Sequence, residues 1–157
     1  MSNKFDVFDK TPANYVPLSP LSFLPRTALM FGDRKATVYG NRSYTWAQFY
    51  ERVKQVASAL QQRGVGKGDT VSVIAANTPE MVELHFAVPM IGAVLNTINR
   101  LLDADTLAYI FDHAETKVLI TDATLNPAVA QAVKDTPNQA MLIVDIKDEQ
   151  SGQELSN

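Results

Sequence analysis

The strongest constraint on this chain is a hydrophobic period that changes again and again along it. Four short, largely apolar runs, Val71-Ser72-Val73-Ile74-Ala75-Ala76, Ala93 to Ile98, Lys117-Val118-Leu119-Ile120-Thr121 and Ala140 to Val144, alternate with stretches whose apolar residues return every three or four positions. The runs read as strands covered on both faces, the stretches as one-faced helices. A helix between two strands gives room for a right-handed crossover, so the strands lie largely parallel in one sheet. The fold class that follows is α/β, an alternating strand-helix half-sheet with helices on its faces.

Each helical stretch carries its own start and stop signals. Thr45, with Gln48 three residues on, forms a capping pair ahead of Phe49, Val53, Val56 and Leu60, and Gly64 supplies the left-handed residue that ends the helix. Asn77 and Glu80 read as the next capping pair, with Pro79 in the first turn, opening a helix to Ile91 that buries Leu84, Ala87, Val88 and Ile91. Asp103 caps a third, with Leu107, Ile110, Phe111 and Ala114 on one face, and Asn126 and Pro127 open a shorter fourth through Ala130 and Val133. Ahead of these lies a different texture. Pro12, Pro17, Pro20 and Pro25 make the opening irregular, with a short helix toward Met30. Ala36 to Tyr39 and Arg42 to Tyr44 flank Gly40-Asn41, a pair suited to the positive backbone angles of a hairpin turn. The expected organisation is an irregular Pro-rich segment over 1–35, a partial α/β domain over 36–144 and a polar tail over 145–157.

Composition then removes whole classes of function. The 157 residues hold 14 Lys and Arg against 17 Asp and Glu, with no basic block to track a phosphate backbone, so no nucleic-acid partner is expected. With no cysteine and two histidines, thiol nucleophiles, cysteine-ligated zinc and histidine-rich metal sites are excluded. No apolar run reaches the roughly 18 residues of a membrane span, and Met1 to Asp6 lacks a signal peptide's apolar stretch. A soluble, cytoplasmic chain is expected.

Few residues suggest chemistry. Gly64-Val65-Gly66-Lys67-Gly68-Asp69 has the composition of a phosphate cradle, but it leaves a helix and enters a strand, the reverse of what a cradle needs. It reads as a turn. His85, beside Phe86, is expected to be partly buried, and His113 to be a helix-end cation; neither has a partnering nucleophile at helical spacing. Asp103 is a cap, and Asp105, Asp112 and Glu115 read as a solvated helix face rather than paired carboxylates. Asn96-Thr97-Ile98-Asn99-Arg100 is the least ordinary stretch, because polar residues punctuate the end of a buried strand. It suits a ligand site at a strand's carboxyl end, and equally hydrogen bonds that anchor the turn, the reading favoured.

Beyond periodicity, Ser43-Tyr44-Thr45-Trp46-Ala47-Gln48-Phe49 resembles the first core motif of the adenylate-forming acyl-CoA synthetases, with Leu60-Gln61-Gln62-Arg63-Gly64-Val65 matching the end of that motif's helix. Gly66 to Val71, Asn77-Thr78-Pro79-Glu80, Ile91 to Asn99, Leu107 to Ile110 and Lys117 to Asp122 resemble later motifs in the same order. Pro20 to Leu24 and Asn96 to Asn99 look most like medium-chain fatty-acid and methylthioalkanoate CoA ligases. Two departures stand out. Close relatives commonly read Asn-Thr-Arg-Leu where this chain reads Asn99-Arg100-Leu101-Leu102, and Pro25 interrupts what is usually a helix.

The resemblance implies that the full enzyme joins a fatty or other small carboxylic acid to ATP, with magnesium, and then to coenzyme A. It implies equally that this chain carries no catalytic, cofactor-binding or metal residue of its own. The family's Ser/Thr/Gly-rich phosphate loop, Thr-Glu pair, Thr-Gly-Asp segment and mobile lysine are not among the 157 residues. The expectation is an inactive N-terminal fragment of a ligase. The alternative is a truncated stand-alone paralogue serving as a non-catalytic interaction or oligomerisation module, which predicts a homodimer or a complex with a partner.

Overall fold

A computed structural model describes residues 9, 11–13, 15–122 and 127–146. A single 3-10 turn, Pro20–Ser22, leads into α1, Phe23–Phe31. Pro25 does not interrupt this helix. It lies within the first turn, where the helix asks nothing of its missing N–H. Next comes a hairpin of β1, Lys35–Tyr39, and β2, Arg42–Thr45, paired antiparallel with Tyr39 opposite Arg42. Only Gly40 takes a positive φ, 56°, so Asn41 does not use the freedom expected of it. One positive residue, placed first, is the pattern of a II′ turn.

The alternation then unfolds as the sequence implies: α2 (Trp46–Gln62), β3 (Thr70–Ile74), α3 (Pro79–Met90), β4 (Val94–Thr97), α4 (Ala104–His113), β5 (Thr116–Thr121), α5 (Pro127–Asp135) and β6 (Leu142–Asp145). The four later strands form one sheet in the order β4-β3-β5-β6, every pair parallel. Strand β6 reaches one residue beyond the expected Val144. Asn126, the expected opener of α5, lies outside the described residues, as do 147–157 of the polar tail.

Local signals explain most boundaries. Thr45 and Gln48 form a full capping box on α2, with Thr45 N–H donating to Gln48 Oε1 at 2.9 Å and Gln48 N–H to Thr45 Oγ1 at 3.3 Å. The far end of α2 closes with Gly64 at φ 80°, its N–H on the Gln61 carbonyl and the N–H of Val65 on that of Leu60. This is a Schellman ending. Helix α3 closes the same way through Gly92, φ 76°, with bonds from Gly92 to Pro89 and from Ala93 to Val88. Its start corrects the sequence reading: the N-cap is Thr78, not Asn77. Proline at the first helical position holds the residue before it extended, and Thr78 has φ -98° and ψ 167°. Ile91, expected in the core of this helix, is its half-buried C-cap.

Two apolar layers sandwich the sheet. Val71, Val73, Val118 and Ile120 meet Leu84 and Val88 of α3 and Leu60 of α2 on one face. Ile74 and Leu119 meet Leu107 and Phe111 of α4 and Val129 of α5 on the other. A third cluster joins Leu24, Phe49, Val53 and Ala87, which ties α1 and α2 to α3. Phe49 also stands edge-on to Trp46 and Phe86, at 6.0 and 5.9 Å between ring centres. Each such pair contributes roughly 0.5–1.5 kcal/mol beyond its burial.

Candidate functional site

In open parallel sheets ligands gather at the carboxyl ends of the strands, beside the point where successive connections depart in opposite directions. Here the chain leaves β3 for β4 on one side, then returns to β5 on the other. A cavity of about 510 Å3 opens at that end, next to the carboxyl ends of β3 and β4. Its wall includes Asn77, Met81, His85, Thr97, Asn99 and Arg100.

The polar stretch after β4 divides between the two roles weighed for it. Asn96 anchors: its Nδ2 donates to Ser72 Oγ at 3.1 Å, and Ser72 shares a buried 2.7 Å hydrogen bond with Thr116 across the sheet. Asn99 also anchors through its Oδ1, which accepts from Leu101 N–H at 3.0 Å, yet the residue borders the cavity. Thr97 and Arg100 border it too. His85 is exposed rather than partly buried, because Phe86, not His85, turns toward Phe49. Its Nδ1 lies 2.8 Å from the Met81 carbonyl, so a neutral ring donates there and presents Nε2 as an acceptor.

The glycine-rich loop lies at the opposite end of the sheet. Asp69 Oδ2 accepts from Gly66 N–H and Lys117 Nζ, each at 2.7 Å, and Lys117 also donates to the Gly64 carbonyl at 2.7 Å. The Lys117 ammonium, with the Gly66 amide, holds the Asp69 carboxyl below its usual range. This is a braced turn whose Gly66 and Gly68 amides are already engaged, the latter on the Gly92 carbonyl. His113 sits in the last turn of α4, stacked on Tyr109 at 5.3 Å. Asp103 caps α4, accepting from Thr106 N–H at 2.9 Å. Among the described residues no three acidic or histidine groups converge in a way that would hold a metal ion, and no helix is long and apolar enough to cross a membrane.

Sequence reasoning did not find a charge cluster where the hairpin meets α2 and α3. Glu83, almost wholly buried in α3, receives Arg52 from α2 through both carboxylate oxygens. Arg42 of β2 donates to Glu80 Oε1 at 2.9 Å, and Arg52 reaches the same oxygen at 3.8 Å while lying over the Tyr44 ring. Burial pushes the Glu83 carboxyl above its usual range against the pull of Arg52. Burial acts to raise Glu80 as well, but the hydrogen bonds it accepts, including that of Arg42, hold it below. The available signal was the absence of a polar face in Met81 to Met90. A helix apolar all round is covered on two sides, so an acid buried within it needs a cation brought against it from a neighbouring element.

Comparison with known proteins agrees with this architecture. A family model described as AMP-binding enzyme matches residues 24–157. The peroxisomal acetate/butyrate–CoA ligase of Arabidopsis thaliana is 48% identical over 117 residues, which cover 74% of this chain and 21% of that enzyme. The 2-methylpropanoate–CoA ligase of Humulus lupulus is 43% identical over 129 residues, 82% of this chain and 23% of that one. The chain thus spans about a fifth of the length of these curated relatives. Among solved structures, a benzoate CoA ligase of Burkholderia xenovorans has a TM-score of 0.74 at 20% identity, covering 81% of this chain and 25% of that one. A fatty acyl CoA synthetase of Mycobacterium tuberculosis has 0.72 at 24%, covering 79% and 26%. Such identities speak for a shared fold.

Proposed function

This chain belongs to the AMP-binding enzyme family, and from that premise we propose that it forms the N-terminal half-sheet of an ATP-dependent carboxylic acid–CoA ligase. One observation carries the reading. The motifs that resemble those ligases build, in order, the parallel sheet whose carboxyl end opens into the cavity beside Asn77, Thr97 and Arg100. Relatives named for acetate, butyrate and 2-methylpropanoate support a small or medium-chain acid as the substrate of the complete enzyme. Cytoplasmic residence belongs to the same proposal and rests on the sequence alone.

The 157 residues by themselves do not make the reaction. Activation of a carboxylate by ATP needs donors around the triphosphate, an acid to place magnesium and a cation at the transferred oxygen. Among the described residues no three acidic or histidine groups converge, and the lysine-bearing glycine loop lies at the end of the sheet away from the cavity. Purified chain with ATP, magnesium, coenzyme A and acetate, butyrate, 2-methylpropanoate or octanoate should release no pyrophosphate above a mock-purified control. Release above that control overturns the proposal. A second reading, an interaction module, draws on the edge strand β6, where Leu142 and Ile143 are exposed. The same preparation would then sediment as a dimer.

A further inference from the structure

Helix α1 is apolar on the side it buries and also on the side it shows. Leu24 is sealed against Phe49 and Val53 of α2 and Ala87 of α3, whereas Leu29 and Met30, on the opposite side, are 84% and 65% exposed. Phe23 and Phe31 at its two ends are about half exposed, and Leu18 just ahead of it is 90% exposed. Single exposed apolar residues need no account, but a cluster on one element marks a surface that meets a partner. The charge around it indicates which. The chain carries a net -3, yet between Tyr15 and Arg42 the cations Arg26, Arg34, Lys35 and Arg42 stand with a single acid, Asp33. Arg42 is engaged by Glu80, but Arg26 shares the outer side of α1 with Leu29 and Met30, and Arg34 lies over the Phe31 ring at 5.1 Å. Arg26, Arg34 and Lys35 are all exposed. Glu51 of α2, which borders a groove beside Leu29, is paired with Lys54 at 2.6 Å and adds no net charge. A second copy docked here about a two-fold axis would set these cations against their own images. An anionic lipid surface meets both demands, taking the apolar side chains into its acyl boundary and the cations onto its headgroups.

We propose that the outer side of α1 docks on an anionic lipid membrane, with Leu29 and Met30 as apolar anchors and Arg26, Arg34 and Lys35 as headgroup contacts. No helix among the described residues is long and apolar enough to cross a bilayer, so α1 lies on the surface rather than across it. This surface does not depend on the ligase reading. It is tested by co-sedimentation of the 157-residue chain with vesicles of phosphatidylcholine, alone or with about one third phosphatidylserine. Binding should be at least about fivefold stronger on the anionic vesicles and should fall by about fivefold or more when salt is raised to about 0.5 M. Leu29→Ser combined with Met30→Ser should weaken it by at least about tenfold, and Arg26→Gln combined with Lys35→Gln should remove the preference for phosphatidylserine. Leu101→Ser alters an 82% exposed leucine after β4, two residues before Asp103, and should bind as the unaltered chain does. Every altered side chain is exposed; where a variant nevertheless fails to fold, the two lipids and the two salt concentrations on the unaltered chain decide. Absent binding, or equal binding to both vesicles, overturns the proposal, as does a loss in Leu101→Ser equal to that in the α1 variant. A dimer in sedimentation that Leu29→Ser with Met30→Ser disperses assigns the surface to a second copy and overturns it too.

Discussion

The two ends of the parallel sheet are built to different rules. At the amino end α2, α3 and α4 run into the strands that follow them through a left-handed residue, Gly64, Gly92 and Glu115 in turn, and side chains brace the turns. Asp69 and Lys117 tie two of them together, and Asn138 Nδ2 donates to the carbonyls of Phe111 and Thr116 at 3.3 and 2.7 Å. At the carboxyl end the residues after β3 and β4 border a cavity, and Asn77, His85, Thr97 and Arg100 are exposed around it. The lesson is a division of labour within one sheet. One end satisfies its own polar groups and fixes the frame, while the other sets polar side chains at the surface around a cavity.

The charge cluster is where that contrast can be broken, since it carries stability on the carboxyl side. Arg52→Ala leaves Glu83 buried without its cation, and with Arg52 itself about a third exposed the expected loss is about 2–4 kcal/mol by urea unfolding. The loss should depend on pH in a defined sense. Because the folded Glu83 carboxyl is raised, its contribution favours folding at and below the ordinary carboxylate value of about 4.3 and is lost as pH rises through the raised value. Without Arg52 that rise is larger, so the variant's deficit widens from pH 5 to pH 8. A deficit constant across that range would mean that Glu83 does not titrate in this way.

A smaller effect sharpens the contrast at the braced end. Gly92→Ala places a Cβ at φ 76° and 3.4 Å from Lys67 Cβ and Cγ, and should cost about 1–2 kcal/mol in the same measurement. The smallest effect belongs to the open end. His85→Ala removes one exposed ring and its bond to the Met81 carbonyl, and should change stability by less than about 0.5 kcal/mol. If thermal melts showed His85→Ala to be the more harmful of the two, the division between the ends would fail.

Much of this frame is legible in the sequence because its signals are local. Thr45 and Gln48, or Gly64 after Leu60, announce a helix boundary within a few residues, and the apolar runs announce strands covered on both sides. The Asn77 misreading is instructive, since the angle imposed by Pro79 decides the cap and outranks the side chain better known for it. What the sequence hides is pairing over distance. Arg52 and Glu83 are 31 positions apart, and nothing near either names the other. The candidate site is hidden in the same way. Asn77, His85 and Arg100 border one cavity only because β3 and β4 lie side by side, and within Asn96 to Arg100 no local cue separates Asn96, which anchors, from the cavity-lining residues that follow it.

The all-parallel sheet also dictates an order of events as the chain folds. Only the β1-β2 hairpin joins strands that follow each other directly. The central strand β3 must wait for a helix and β4 before its first neighbour exists, and for α4 and β5 before its second. Pairings this distant close slowly. During synthesis the edge of β3 that pairs with β5 therefore stays open until Thr121 has emerged, which makes that interval the one in which the chain depends most on protection from aggregation.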